Sequence, residues 1–134
     1  MTRMLAGFPA FAGLRLGFII LASALIGGCD AASPYRGIIR DQTRAWEEME
    51  KILAGVVDQD SMGAARKELA ALQERYQAIV ERVQGLPDPS PEIRQQVGED
   101  AEKLRQAVVK ANEQIRRINS LPGGPEFLGR LPGK

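Results

Sequence analysis

The sequence predicts an all-α protein, an elongated three-helix bundle that runs up, down and up behind a cleaved leader. From residue 36 to residue 120, apolar residues recur at intervals of three and four, which is the spacing of one face of a helix. No run of residues alternates in the manner of a β-strand. Helix-breaking and capping residues cluster at 58–61 and 85–91, so they divide this region into three helices.

Residues 1–28 have the three parts of a signal peptide. Arg3 and Arg15 supply positive charge, residues 16–26 form an apolar segment, and both residues before position 29 are glycine. Export and cleavage of this leader are therefore expected.

The only cysteine of the chain, Cys29, follows the leader directly. Residues 26–29 resemble the lipobox of bacterial lipoproteins, in which an aliphatic residue and two small residues precede a cysteine. In that family the thiol receives diacylglycerol and signal peptidase II then cuts before the cysteine. The resemblance covers the first 29 residues and implies that Cys29 is lipidated.

Two alternatives remain for this segment. An uncleaved membrane span needs about 20 apolar residues, and extending it backwards would bury Arg15. An ordinary secretory signal would leave Cys29 as an unpaired thiol in an oxidising compartment.

The residue after the cysteine is Asp30. In the sorting scheme of enteric lipoproteins, which this segment resembles, that residue implies retention in the inner membrane. We expect a lipid-anchored protein that faces the periplasm, with the choice between inner and outer membrane open.

Residues 29–35 are predicted to be a short tether, and residues 36–120 the bundle. The six residues before the first helix reach at most about 20 Å, so the bundle should stay near the membrane. Tyr35, beside the anchor, is placed at the lipid headgroups.

The first and second helices each have an apolar face. On the first it comprises Ile39, Trp46, Met49, Leu53, Val56 and Val57, and on the second Met62, Ala65, Leu69, Leu72, Tyr76, Ile79, Val83 and Leu86. Residues 58–61 are expected to cap the second helix. A calcium loop at the same place would need a ligand at Met62 and a glutamate at Leu69, so capping is the better interpretation.

The third helix is predicted over residues 91–119, about 43 Å long, and begins with a capping serine, a proline and an acid. Its apolar face comprises Val97, Ala101, Leu104, Val108, Ala111, Ile115 and Ile118, and we expect it to pack against the face of the second helix. A homodimer of helical hairpins is the alternative to a closed monomer.

Residues 121–134 form a tail rich in proline and glycine. Phe127, Leu128 and Leu131 are expected to cover the open end of the bundle. A loose tail and a partner-docking motif are the alternatives.

The composition excludes several kinds of chemistry. The chain has no histidine, and lipidation would block its one thiol, so we predict no enzymatic activity, cofactor or metal. Trp46 and Tyr76 are assigned to core packing, and the Arg116–Arg117 pair to a solvated helix face. Without Arg3 and Arg15 the remaining chain is near neutral, so we predict no nucleic-acid partner.

These features together predict a lipid-anchored helical interaction or scaffold protein of the cell envelope. The alternative is a cell-wall tether, because the lipidated start, apolar heptads and terminal Lys134 are loosely similar to the major outer-membrane lipoprotein. In that protein the terminal lysine is joined to peptidoglycan. Here prolines at 87–91 interrupt the rod, and Pro132 and Gly133 precede the lysine.

Overall fold

The computed structural model describes residues 31–130, which form five α-helices and no β-strand. The helices are α1 (Ser33–Ala54), α2 (Gln59–Gln84), α3 (Pro91–Gln96), α4 (Gly98–Asn119) and α5 (Gly124–Gly129). The predicted all-α class is confirmed.

Helix α1 begins at Ser33, so the last three residues of the predicted 29–35 tether are helical instead. Pro34 lies in the first turn, where a missing N–H costs no helical hydrogen bond. Ala32 is only 4% exposed, and its carbonyl accepts the Arg36 N–H at 2.9 Å. The connection from Cys29 to the bundle is therefore shorter than the sequence suggested.

Helix α1 is the central helix, because it packs along both α2 and α4 and contacts α4 most extensively. Ala107 of α4 is buried and lines a shallow depression between the two helices together with Glu47 and Lys51 of α1. The second and third predicted helices were expected to pack against each other; they share one core, but their backbones approach each other less closely than each approaches α1.

Ion pairs define how α1 and α2 run relative to each other. Asp41 meets Arg82 at 2.6 Å, and Glu48, two turns further along α1, meets Arg75 at 2.6 Å. The later residue on α1 pairs with the earlier residue on α2, so these two helices are antiparallel.

Helices α1 and α4 run parallel. Near the start of α1, Arg40 meets Asp100 at 3.5 Å. Near the end of α1, Arg117 donates to the carbonyl oxygens of Leu53 and Val56, each at 2.8 Å.

The third periodic segment is two helices rather than one. Val97 departs from helical geometry at φ −96° and ψ 5°, and it ends α3 before α4 begins at Gly98. Backbone hydrogen bonds from Val97 to Ile93 and from Ala101 to Val97 continue on either side of the break. Burial of Val97 in front of a glycine, a poor helix former, accounts for the local distortion.

The core contains the apolar residues of α1, α2 and α4, together with part of α5. Its members are Ile38, Ala45, Trp46, Met49, Leu53, Val56, Met62, Ala65, Leu69, Leu72, Tyr76, Ile79, Leu104, Ala107, Ala111, Ile118, Phe127 and Leu128. Val57, assigned to the core from spacing, is 65% exposed because α1 has already ended at Ala54.

The chain folds back after α4 and closes this end of the bundle. Phe127 and Leu128 of α5 are buried, as predicted, whereas Leu131 lies outside the described residues. Gly123 makes the turn with φ +77°, a conformation that suits glycine. Gly124 then passes directly against the backbone of Ile118.

We expect Gly124→Ala to destabilise the protein by about 3 kcal/mol. A Cβ at this position would overlap the Ile118 carbonyl oxygen and lie 2.8 Å from its carbon, and neither backbone atom can move aside easily. Urea unfolding followed by circular dichroism measures the loss. Gly129→Ala is the matched control, because its Cβ would meet nothing within 4 Å. Equal stability of the two variants would contradict the close approach at Gly124.

Arg117 caps the end of α1 from the neighbouring helix. Besides the two carbonyl contacts, its Nε donates to the Gln114 side chain at 2.8 Å. The solvated face predicted for Arg116 and Arg117 therefore holds for the exposed Arg116 alone, since Arg117 is partly buried between helices.

Arg117→Met should cost about 2 kcal/mol, because two carbonyl groups lose charged hydrogen-bond donors while the aliphatic packing is largely kept. Thermal unfolding measures this loss, with Arg116→Met as the control. If both methionine variants unfolded at the temperature of the unmodified protein, the capping role would be refuted.

Candidate functional site

The residues to which the sequence assigns function lie at the two ends of the chain. Cys29 and Asp30 precede the described residues, and Lys134 follows them. Lipidation, membrane sorting and cell-wall attachment therefore stay predictions. The structure does describe the residues that follow Cys29 from residue 31 onward, and with them the surface of the bundle to which Cys29 connects.

We call this surface the proximal end, which comprises residues 31–36, the α2–α3 loop at residues 85–90, and Pro91 at the start of α3. The Tyr35 hydroxyl donates to the Pro87 carbonyl at 2.6 Å and ties the first turn of α1 to that loop. Desolvation, helped by the nearby Asp88 carboxylate, raises the pKa of Tyr35. The hydroxyl placed at the lipid headgroups is thus engaged within the protein.

Two arginines fasten the first turns of α1 to the α3–α4 junction. Arg36 donates to the Gln96 carbonyl at 3.2 Å, and its Nε lies 4.0 Å from Asp100. Arg40 contacts the other oxygen of Asp100, whose side chain is only 15% exposed. Exposed ion pairs of this kind contribute about 0–1 kcal/mol each, so they orient the segments more than they stabilise the fold.

The side of the bundle carries an open groove between α1 and α2. Its floor is apolar, and charged side chains border it. The floor comprises Ala45, Leu72, Ala78 and Ile79, and the border Asp41, Arg44, Glu48, Arg75 and Arg82. Arg44 projects furthest, with 78% of its side chain exposed. The mixture of both charges over small apolar residues suits contact with a protein surface.

Trp46 and Tyr76 form an edge-to-face pair inside the bundle, with ring centroids 6.3 Å apart. Burial raises the pKa of Tyr76, and hydrogen bonding to Trp46 and to buried Gln42 partly offsets this effect. Tyr76 is only 1% exposed, so this pair packs in the core and offers no open stacking platform. The predicted structural role is confirmed.

Gln42 is a buried polar residue that the sequence interpretation missed. It lies four residues after Ile38 and four before Trp46, on the buried face of α1. The spacing indicates a buried position. Glutamine is usually exposed, so the residue was not assigned to the core.

The loop between α1 and α2 contains a capping box. The Asp58 carboxylate accepts the Ser61 N–H at 2.8 Å, and the Ser61 side chain accepts the Asp58 N–H at 3.0 Å. These hydrogen bonds, led by the Ser61 backbone, lower the pKa of Asp58. Capping was the preferred interpretation here, and it is confirmed.

No group of metal-binding side chains occurs within residues 31–130, and none of their helices is long and apolar enough to cross a membrane. Comparison with family models, curated proteins and solved structures found no match to this chain.

Proposed function

We propose that this chain is a lipid-anchored interaction protein of the bacterial cell envelope that presents a helical bundle to a partner and catalyses no reaction. One observation carries the proposal, the position of the only cysteine. Cys29 ends an apolar leader and follows two glycines, where bacterial lipoproteins carry the lipidated residue.

One feature of the bundle and one of the sequence support an interaction role. Its helices leave open grooves along their sides, which are better suited to a protein surface than to an enclosed small molecule. The absence of histidine from the sequence and the expected blocking of Cys29 remove the commonest nucleophilic and acid–base groups.

Asp30 favours the inner membrane, and a periplasmic orientation follows from export.

Metabolic labelling with an alkyne fatty acid tests the anchor. The native chain should incorporate the label, Cys29→Ala should incorporate none, and Ser33→Ala should behave as the native chain because it leaves residues 26–29 intact. Labelling that survives in Cys29→Ala would refute lipidation at this residue.

Crosslinking in intact cells tests the interaction role separately. A photoreactive residue in place of Arg44, on the α1–α2 groove, should give a discrete adduct with one envelope protein. The matched position is the exposed Glu113 on α4, which should not. Failure to form an adduct from Arg44 would remove this groove as the partner surface.

A further inference from the structure

The proximal end carries an inference about orientation, which rests on the proposed lipid anchor. We propose that the proximal end lies directly on the lipid headgroups, so that the long helices of the bundle project away from the bilayer. The partner surface is the lipid bilayer itself, because the chain that leads from Cys29 to the bundle is short.

That length is short. Three residue steps separate Cys29 from Ala32, which spans at most about 11 Å when extended. Ala32 is buried against the bundle, and its carbonyl accepts a hydrogen bond from the Arg36 N–H, so the contacts of the bundle begin no later than this residue. A lipid chain on Cys29 therefore holds the first turn of α1 close to the headgroups.

The start of α1 transmits this constraint to the rest of the proximal end. Tyr35 binds Pro87 in the α2–α3 loop, and Arg36 binds Gln96 at the end of α3. The α2–α3 loop and the end of α3 are thus both connected to the first turn of α1. Holding that turn at the membrane also places the loop there.

The composition of the proximal end suits a headgroup surface. Pro34, Pro87 and Pro91 are exposed, and Leu86 and Tyr35 are partly buried. Prolines have no N–H that would need a new hydrogen-bond partner on contact, and tyrosine is favoured at membrane interfaces. This surface can approach the headgroups with little loss of backbone hydration.

The sides of the bundle are less suited to the same contact. Each long helix exposes carboxylates along its length, among them Glu47 on α1, Glu74 on α2 and Glu102 on α4. A bundle lying flat on an anionic membrane would bring several such groups against like charge, whereas the proximal end exposes one carboxylate, Asp88, together with the cationic Arg36. Since α1 has 22 residues, the far end stands about 33 Å beyond the proximal end.

Fluorescence quenching by spin-labelled headgroups tests the orientation. The lipidated full chain, processed from its native leader, is reconstituted in vesicles of phosphatidylcholine and anionic phosphatidylglycerol that contain a headgroup nitroxide lipid. Asp88→Cys and Asp60→Cys place a thiol dye in the proximal loop and at the far end, respectively. Both aspartates are exposed, and lipidated Cys29 has no free thiol to react.

The Asp88→Cys dye should lose most of its fluorescence, and the Asp60→Cys dye almost none. Dyes at Glu47→Cys, Glu74→Cys and Glu113→Cys, all exposed and well beyond the first turns of the long helices at the proximal end, should also be unaffected. Quenching at any of these three or at Asp60→Cys as strong as at Asp88→Cys would show a bundle lying flat, and would overturn the proposal. An unquenched dye at Asp88→Cys would overturn it too.

Failure of the anchor would be distinguishable from failure of the orientation. Without lipid on Cys29, the unlabelled chain would lack the added mass and would not float with vesicles, so both proposals would fail. A chain that carries lipid and floats, yet shows no quenching at Asp88→Cys, would retain the anchor and lose the orientation.

Discussion

Phe127→Ala should lower the free energy of unfolding by about 3–5 kcal/mol, the usual cost of removing a fully buried aromatic ring. Phe127 is 0% exposed, and the Arg66 guanidinium lies over its ring at 5.7 Å from the centroid. Loss of the ring removes the larger of the two side chains that α5 contributes to the core and leaves Leu128 as the other. Urea unfolding followed by circular dichroism measures the change.

Glu126→Ala is the control for this experiment, because the adjacent side chain is exposed on the same short helix. We expect it to change stability by less than about 0.5 kcal/mol. If Phe127→Ala were as stable as this control, the tail would not be part of the folded core, and the interpretation of residues 121–130 would be wrong.

Trp46→Ala should have an effect of similar size, about 3–5 kcal/mol. The indole ring lies in the middle of the core, edge-to-face with Tyr76. Its removal leaves a cavity between α1 and α2 and takes away a hydrogen-bonding group beside the buried hydroxyl of Tyr76. Thermal unfolding of the variant reports the loss.

Trp46→Phe separates the contribution of ring packing from that of the indole N–H, because phenylalanine retains much of the packing and lacks this N–H. Its loss should be clearly smaller than that of Trp46→Ala. The exposed neighbour Glu47→Ala should stay within about 0.5 kcal/mol of the unmodified protein. A Trp46→Ala protein as stable as Glu47→Ala would contradict a buried aromatic pair.

The sequence was sufficient for the helices and for most of their buried faces, because heptad-like spacing depends only on local periodicity. It was also sufficient for the capping box at Asp58 and Ser61, whose members are three residues apart. Val57 was misassigned because the periodicity was extended beyond the end of α1. The break at Val97 was missed because one glycine after a valine does not by itself end a helix.

Contacts between segments distant in the chain could not be predicted in the same way. Helix α1 is central because it packs along both α2 and α4, and periodicity within each segment does not say which helices will meet. The Arg117 hydrogen bonds and the Tyr35 contact with Pro87 join residues more than 50 positions apart. The contacts that join the segments of the proximal end can be identified only from the folded structure.

Intact-mass measurement of the chain expressed with its native leader tests whether Cys29 is lipidated. We expect a mature protein that begins at Cys29 and carries the added mass of diacylglycerol, whereas Cys29→Ala should carry no lipid. A native chain that keeps residues 1–28, or that is cleaved without added lipid, would contradict the lipoprotein assignment.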